Sequence, residues 1–269
     1  MPAARSEESH SDPYADIAAW YDLEHDGFTA DIEMITEVLA GARERLAVLE
    51  IGAGSGRLVA ALATAGHTVT GIEPSAAMRA RGEKRVAALP ERVARRARIL
   101  PGDAINYQLR AEERFDVTLL GLGTYGHLIT PAARLDALRL LRDHLKPDGM
   151  VILDVDIGGP RRLVESAGQL WWQGSWQTTD SAHLYVAHTI TGAAGHDPGV
   201  VEVTHIYDVH EQGGAVRRTL AMTPLALLSR GEVEMALRHA GFSEVTIYGG
   251  YDLAPADELS PRAIAVARR

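Results

Sequence analysis

Cysteine is absent from this chain of 269 residues. Without a thiol there is no disulfide, no thiolate nucleophile and no cysteine-ligated metal. Lysine is nearly absent as well, with Lys84 and Lys146 the only two, and aromatic residues make up 6%. No apolar run reaches the ~18 residues of a membrane span, and the first thirteen residues are polar, lacking the apolar core of a secretory signal. These absences predict a cytoplasmic protein. The formal net charge of −9 argues against a general nucleic-acid binder, which needs clustered cations to neutralise phosphates. The arginine-rich stretch 92–98 reads as a solvated face between a helix and a strand. What remains is ordinary globular composition, 46% hydrophobic and 23% charged, enough for one large core or one core with a small appended lobe.

Residues 1–13 are rich in Ser, Glu, His and Asp and are expected to form a disordered tail. Between Tyr14 and Leu39 apolar residues recur at helical spacing (Ile17, Trp20, Tyr21, then Ile32, Ile35, Leu39), broken near Asp26-Gly27, which predicts two helices. Strands follow at about 46–51, 68–73, 97–101, 115–121 and 150–155, with helical patterns at about 55–65, 75–88 and 132–145 between them. Lys146-Pro147-Asp148-Gly149 is expected to end the last helix before the fifth strand. Strand and helix in alternation mean a parallel sheet covered on both faces. The rhythm changes at Gly158-Gly159-Pro160. From there to 228 period-two stretches such as Val201, Val203, His205, Tyr207 and Val209 predict antiparallel hairpins, with turns at Asp180-Ser181, 192–199 and 212–214. A helix at about 230–240 and strands at about 244–249 and 262–268 then resume the α/β pattern.

The chemistry is concentrated in Val48-Leu-Glu-Ile-Gly-Ala-Gly-Ser-Gly56 and, some twenty residues on, Gly71-Ile-Glu73-Pro74. An apolar strand enters a glycine turn, a helix follows, and the next strand ends in a carboxylate placed to accept from ribose hydroxyls: one βαβ unit built for a nucleoside. Glycines do the bending because a residue without Cβ takes φ > 0 and lets a ligand touch its backbone. The spacing Gly52-x-Gly54-x-Gly56 departs from the G-x-G-x-x-G of dinucleotide sites, yet by itself it leaves two cofactor classes standing. Glu50 before the turn, Asp103 after the third strand and the late strands of the chain add to it.

These segments resemble the class I S-adenosylmethionine-dependent methyltransferases. The resemblance rests on Leu49-Glu-Ile-Gly-Ala-Gly-Ser-Gly-Arg57, Gly71-Ile-Glu-Pro-Ser75 with Met78, Gly102-Asp103-Ala104, Phe115-Asp116 and His144-Leu-Lys-Pro-Asp-Gly149, five motifs in order. Tyr21-Asp22, His25-Asp26, 124–128, Gly249-Gly-Tyr-Asp252 and Ser260-Pro-Arg262 are similar in layout to the small-molecule branch that includes sugar N-methyltransferases. The resemblance implies an α/β, Rossmann-like sheet of seven strands in the order 3-2-1-4-5-7-6, strand 7 antiparallel. The cofactor domain would take 14–157 and 229–269, with an N-terminal helical cap, and an antiparallel β lobe for substrate would be inserted at 158–228. S-adenosylmethionine would be the cofactor and S-adenosyl-L-homocysteine the product. The methionine moiety would lie on Gly52, Ala53, Gly54 and Gly56 near Glu50, and the ribose on Glu73. The adenine would meet Asp103 and Ala104 between Pro74, Met78 and Leu122, and Tyr14 would pack against the cofactor. Helix capping by Glu73 and a turn role for Asp103 are the competing structural roles.

Candidates for orienting the acceptor or removing its proton are His127, whose imidazole titrates near neutrality, Tyr125 beside it, and Tyr21 with His25, one helical turn apart and so on one face. Packing at a helix start is the other role open to His127. Trp171, Trp172 and Trp176 open the lobe and would wall an aromatic or cationic acceptor, or form an apolar hinge. Tyr207 and Arg230 are further substrate contacts. His183, Tyr185 and His205 share the lobe strands, with their facing set by a register the sequence does not reveal. Asp154 and Asp156 flank Val155 on one side of a strand, but no further part of a metal set accompanies them, and no metal is expected. The reading is methyl transfer to an N, C or O nucleophile of a small metabolite, aromatic, indolic or amine-bearing, by a monomer or homodimer that binds neither nucleic acid nor membrane. The rivals are an NAD(P)-dependent oxidoreductase, which lacks a Tyr-x-x-x-Lys pair here, and a non-catalytic S-adenosylmethionine-binding module.

Overall fold

A computed structural model describes residues 12–41, 45–110, 112–157, 168–178, 182–193 and 199–269. Five strands, β1 (Ala47–Ile51), β2 (Thr68–Glu73), β3 (Ala97–Pro101), β4 (Phe115–Leu120) and β5 (Leu145–Asp156), run parallel to one another. Their residues are buried almost without alternation; in β1 Val48, Leu49, Glu50 and Ile51 are all under 4% exposed. That pattern belongs to a sheet covered on both faces. The cover comes from α3 (Arg57–Thr64), α4 (Ala76–Ala87), the short α5 (Glu91–Ala94), α6 (Pro131–His144) and α7 (Arg230–His239).

The last two strands, β10 (Ser243–Tyr248) and β11 (Arg262–Arg268), complete the sheet, with β11 inserted antiparallel between β10 and β5. Counting only the strands of this sheet, the order is 3-2-1-4-5-7-6, as the resemblance implied. The chain therefore reverses direction across the sheet between β1 and β4. At such a switch point the connections after the two strands diverge and leave a crevice beyond their carboxyl ends. The glycine turn after β1 and the turn after β4 are its walls.

Two boundaries differ from the sequence reading. β5 begins at Leu145 rather than Met150, because Leu145 already pairs with Phe115 and Lys146 Nζ donates to Asp116 Oδ2 at 2.8 Å; a register slip between Phe115 and Val117 absorbs the intervening turn. Asp12 and Pro13, assigned to the expected tail, lie among the described residues. Asp12 Oδ2 accepts from the hydroxyl of Ser75, the cap of α4, at 2.6 Å. The rest of that tail, the glycine-rich break at 158–160 and the turn at Asp180-Ser181 lie outside the described residues. The turn at 212–214 is present, with Gly214 N–H donating to Glu211 O at 3.0 Å.

A second, four-stranded antiparallel sheet is formed by β6 (Leu170–Gln177), β7 (His183–Ala193), β8 (Val200–His210) and β9 (Val216–Ala226) in chain order. Its register assigns the faces. Leu184, Val186, His188, His205, Tyr207, Val209, Ala221 and Thr223 share the inner one, where the apolar members pack against Trp20 of α1 (Ala18–His25) and Ile17 just before it. Trp20 stacks on Tyr207 with centroids 5.6 Å apart and planes 20° from parallel. The hydroxyl of Tyr207 donates to Glu24 Oε2 at 3.0 Å, which ties α1 to the sheet. Next, α2 (Ala30–Ala40) is joined to α3 by an ion pair between Asp31 and Arg57, 1% and 8% exposed. Among the described residues no helix is long and apolar enough to cross a membrane.

Candidate active site

Gly52, Gly54 and Gly56 take φ of +72°, +56° and +77°, the left-handed region that side chains disfavour. The carbonyl of Ile72 at the end of β2 accepts from both Gly52 and Ala53 N–H, so the turn is bolted to the neighbouring strand. Space is a second reason for glycine. A Cβ on Gly52 would stand 2.6 Å from the side chain of Thr124 in the turn after β4, and one on Gly56 would stand 3.0 Å from Gly82 of α4.

Glu73 ends β2 beside this turn, 5% exposed. One carboxylate oxygen accepts from Gly54 N–H at 2.7 Å and the other from Ser75 N–H at 2.9 Å. Burial raises its pKa, and those two N–H groups oppose the rise. The capping role goes to Ser75, whose hydroxyl accepts from Met78 N–H. Glu50 is deeper, and one of its carboxylate oxygens has no hydrogen-bond partner among the described residues; burial pushes its pKa well above the usual carboxylate range, against the pull of Arg57. The buried side chain of Met78 lines the turn, its Cε 3.5 Å from where a Cβ of Gly54 would be, while Pro74 is exposed.

At the other wall Leu122 has φ +44° and donates its N–H to Asp154 Oδ2 at 3.1 Å. Asp103 is exposed and forms an Asx turn, its Oδ1 accepting from Ile105 and Asn106 N–H at 2.9 and 2.8 Å, next to buried Ala104. The turn role weighed for it is thus real, and it leaves Oδ2 outside that turn.

Above the crevice, aromatic and imidazole groups from distant parts of the chain meet. Tyr21 and His25 stack, with centroids 4.0 Å apart and planes 10° from parallel, and the edge of Tyr14 meets Tyr21 at 6.2 Å. The Tyr14 hydroxyl is 3.4 Å from Nε2 of His127, which sits in a 3-10 turn (Thr124–His127) after β4. Burial, then Glu73, pushes the Tyr14 phenol up to about 12. Loss of solvation lowers the His127 pKa despite a hydrogen bond to the carbonyl of Pro224. His205, on the inner face of the second sheet, is held down to about 4 by burial and by His188, His127 and His25. It lies 3.3 Å from the Thr223 hydroxyl and 6.4 Å, ring to ring, from His188. Sequence reasoning placed His205 on a lobe strand without a facing and passed over His188 and Glu24; their signal is strand alternation, which needs the register to be read.

Several candidates lie elsewhere. Tyr125 is 1% exposed within the core, its hydroxyl without a partner among the described residues and raised by burial to about 12, so it packs beneath the turn instead of opening to an acceptor. Trp172 is 61% exposed on the outer face beside Tyr185, because a register shift between Trp172 and Gly174 separates its facing from that of Trp176. Trp176 packs with the inner-face residues, and Trp171 pairs with His188 on that side. Arg230 is exposed at the start of α7 and donates to Ala256 O at 2.8 Å. Among the described residues no group of three metal-ligating side chains converges. A groove of about 320 Å³ lies at the opposite, amino-terminal edge of the sheet, lined by Arg95, Arg96, Arg98 and Arg114 among others. Arg98 there is engaged by Thr70 and Glu113, and Arg95 pairs with Glu91.

The geometry agrees with comparison to known proteins. Residues 49–151 match the family model described as a methyltransferase domain. An uncharacterised methyltransferase of Oceanobacillus iheyensis is 31% identical over 150 residues, 52% of this chain and 64% of that protein, so the chain spans less than two thirds of this curated relative. Among solved structures, the CcbJ methyltransferase of Streptomyces caelestis superposes with a TM-score of 0.74 at 22% identity over 95% of both chains. S-adenosylmethionine-bound CalS10 of Micromonospora echinaspora, an amino pentose methyltransferase involved in calicheamicin biosynthesis, gives 0.69 at 22% over 94% of this chain and 96% of its own. At these identities the likeness is one of fold. Residues 49–151 are thus similar to a methyltransferase domain, in a chain with the class I S-adenosylmethionine-dependent methyltransferase fold.

Proposed function

We propose that the chain is an S-adenosylmethionine-dependent methyltransferase acting on an N, C or O nucleophile of a small metabolite, aromatic, indolic or amine-bearing. The observation that carries the cofactor is Glu73, a buried carboxylate clamped by Gly54 N–H over a turn of three left-handed glycines at the sheet's switch point. The residues fit the group. Glu73 brings a carboxylate to the crevice, which suits a sulfonium cation, and presents oxygens to ribose hydroxyls, with Glu50 buried beneath it. The glycine turn carries no side chain at three of its positions, so a ligand can approach its backbone closely, and Met78 supplies an apolar wall. Ala53, Gly56, Pro74, Asp103, Ala104, Leu122 and Tyr14 complete the proposed cofactor contacts.

When bound, the cofactor supplies a sulfonium methyl that a nucleophile takes by in-line displacement. The residues of the chain then have to align the acceptor and keep the site dry, and approximation of this kind is worth several kcal/mol, about 7 or more in favourable cases. Tyr14 and His127 present a phenol and an imidazole to one space, with Tyr21 and His25 stacked behind them. An imidazole whose pKa is lowered is neutral at pH 7, so His127 is able to accept a proton from an acceptor that arrives protonated. The inner face of the second sheet, with Trp171, His188 and His205, is the proposed acceptor wall, backed by Tyr207 beneath Trp20. The amino pentose methyltransferase among the structural neighbours supports an amine-bearing natural product. The oxidoreductase alternative finds no support, since the family match and these neighbours are methyltransferases.

Calorimetry against S-adenosylmethionine, S-adenosylhomocysteine and NAD tests the cofactor assignment, and binding of NAD alone would sink it. Glu73→Ala should weaken cofactor binding by about 10- to 100-fold, the loss of a charged hydrogen-bond acceptor. His127→Ala should lower turnover with cofactor affinity nearly unchanged. The reverse pattern would mean the two roles are exchanged.

A further inference from the structure

Asp154, near the end of β5 and 2% exposed, is the buried carboxylate for which the proposed chemistry has no use. Its oxygens are nevertheless fully engaged. Oδ2 accepts from Leu122 N–H at 3.1 Å and from the Tyr251 hydroxyl at 2.8 Å, while Oδ1 accepts from Arg262 Nε at 2.6 Å and from its Nη2 at 2.5 Å. The backbone carbonyl of Asp154 accepts from Gly123 N–H at 3.0 Å. One residue therefore receives two consecutive N–H groups of the turn after β4.

That turn needs holding. Leu122 sits at φ +44°, a conformation that a side chain disfavours and that persists only where surrounding contacts impose it. The turn is also part of the crevice: Thr124, whose hydroxyl donates to Gly121 O at 2.8 Å, fills the space where a Cβ of Gly52 would be. The same carboxylate reaches the opposite wall. Tyr251, under the Arg262 guanidinium at 5.0 Å, meets the edge of Phe28 at 5.4 Å. The Phe28 carbonyl in turn accepts from Nη1 of Arg57, the first residue of α3 after Gly56, at 2.7 Å.

We propose that Asp154 is a positioning residue for the cofactor: by accepting the N–H of Leu122 it holds the β4 turn in its left-handed form, so that Leu122 and Thr124 stand against the glycine turn. The assignment rests on the proposed cofactor. A structural role alone, pinning Tyr251 and Arg262, is the competing explanation, and the two differ in what happens when residue 122 no longer needs holding.

The test is a double-mutant cycle on S-adenosylhomocysteine affinity, measured by calorimetry on the full chain with Asp154→Asn, Leu122→Gly and the two combined. In Asp154→Asn the amide oxygen goes to the stronger claimant, Arg262, and the amide NH₂ confronts the N–H of Leu122. Affinity should fall about tenfold with leucine at 122 and less than about twofold with glycine, which adopts φ > 0 freely. Equal losses in the two backgrounds would overturn the proposal while leaving the cofactor reading intact. Failure of the wild type to bind at all removes that reading and the proposal with it. If Asp154→Asn does not fold, Leu122→Ile gives the answer without touching Arg262 or Tyr251. A β-branched residue at a left-handed position should weaken binding about tenfold, and unchanged affinity would overturn the proposal.

Discussion

A buried carboxyl oxygen with no hydrogen-bond partner among the described residues is a cost the fold carries at Glu50. Burial raises its pKa well above the ordinary 4.5, which means that the native state prefers the protonated form. The sign follows. Below about pH 4.5 both states are protonated and nothing is lost; as pH rises the unfolded chain releases the proton first, and native stability falls. Glu50→Gln should therefore melt later than the wild type at pH 7, by on the order of 1–3 kcal/mol, with the difference closing as the pH approaches 4. An unchanged difference across that range would show that ionisation is not its source. His205 runs the other way. With its pKa held down to about 4, it should stay neutral when followed by NMR from pH 8 to 5, and native stability should fall as pH drops from 6.5, where the unfolded histidine begins to take up protons, towards 4. A midpoint near 6.5 would place its ring in open solvent instead.

At the scale of elements, the attachment of α2 to α3 rests on Asp31 and Arg57. Removing one partner of a buried pair strands the other charge, so Arg57→Met should cost about 3–5 kcal/mol in denaturant unfolding, whereas Asp31→Leu with Arg57→Met should cost far less. Equal costs for single and double variants would mean that the guanidinium is held by the Phe28 carbonyl rather than by the ion pair. This pair shows how unevenly the sequence can be read. Arg57 belongs to a motif visible at once, but Asp31 looks like any acidic residue in the first turn of a helix, where the dipole favours one. Only the packing of the two helices reveals that it is buried.

For the whole molecule, a ligand that binds the native state alone raises its melting temperature by mass action. At a concentration 100 times its Kd, S-adenosylmethionine or S-adenosylhomocysteine should add ~2.7 kcal/mol, roughly 5–10 °C for a chain of this size. NAD should leave the melting temperature where it is. A shift with NAD and none with S-adenosylhomocysteine would reverse the cofactor assignment. The same measurement on Glu73→Ala separates a lost site from a lost fold, since an intact fold still melts cooperatively without the ligand-dependent shift.

Local rules settled the parts of this protein that are local. Apolar runs of five or six residues between helical patterns, glycines at three alternate positions and an acid at a strand end are each decided within a few residues, so the parallel sheet and the pairing of the glycine turn with Glu73 were legible, while the strand order that makes the switch point came from the resemblance and not from any local pattern. The tertiary structure decided what depends on register and convergence. A single slip at Trp172–Gly174 turned one tryptophan outward, and the pairing of β7, β8 and β9 turned His188 and His205 inward. Asp154 read as half of an acidic pair until Leu122, Tyr251 and Arg262 were seen to converge on it from across the chain. A strand has only two faces and a carboxylate only a few donors, but which face and which donors are set by neighbours a hundred residues away.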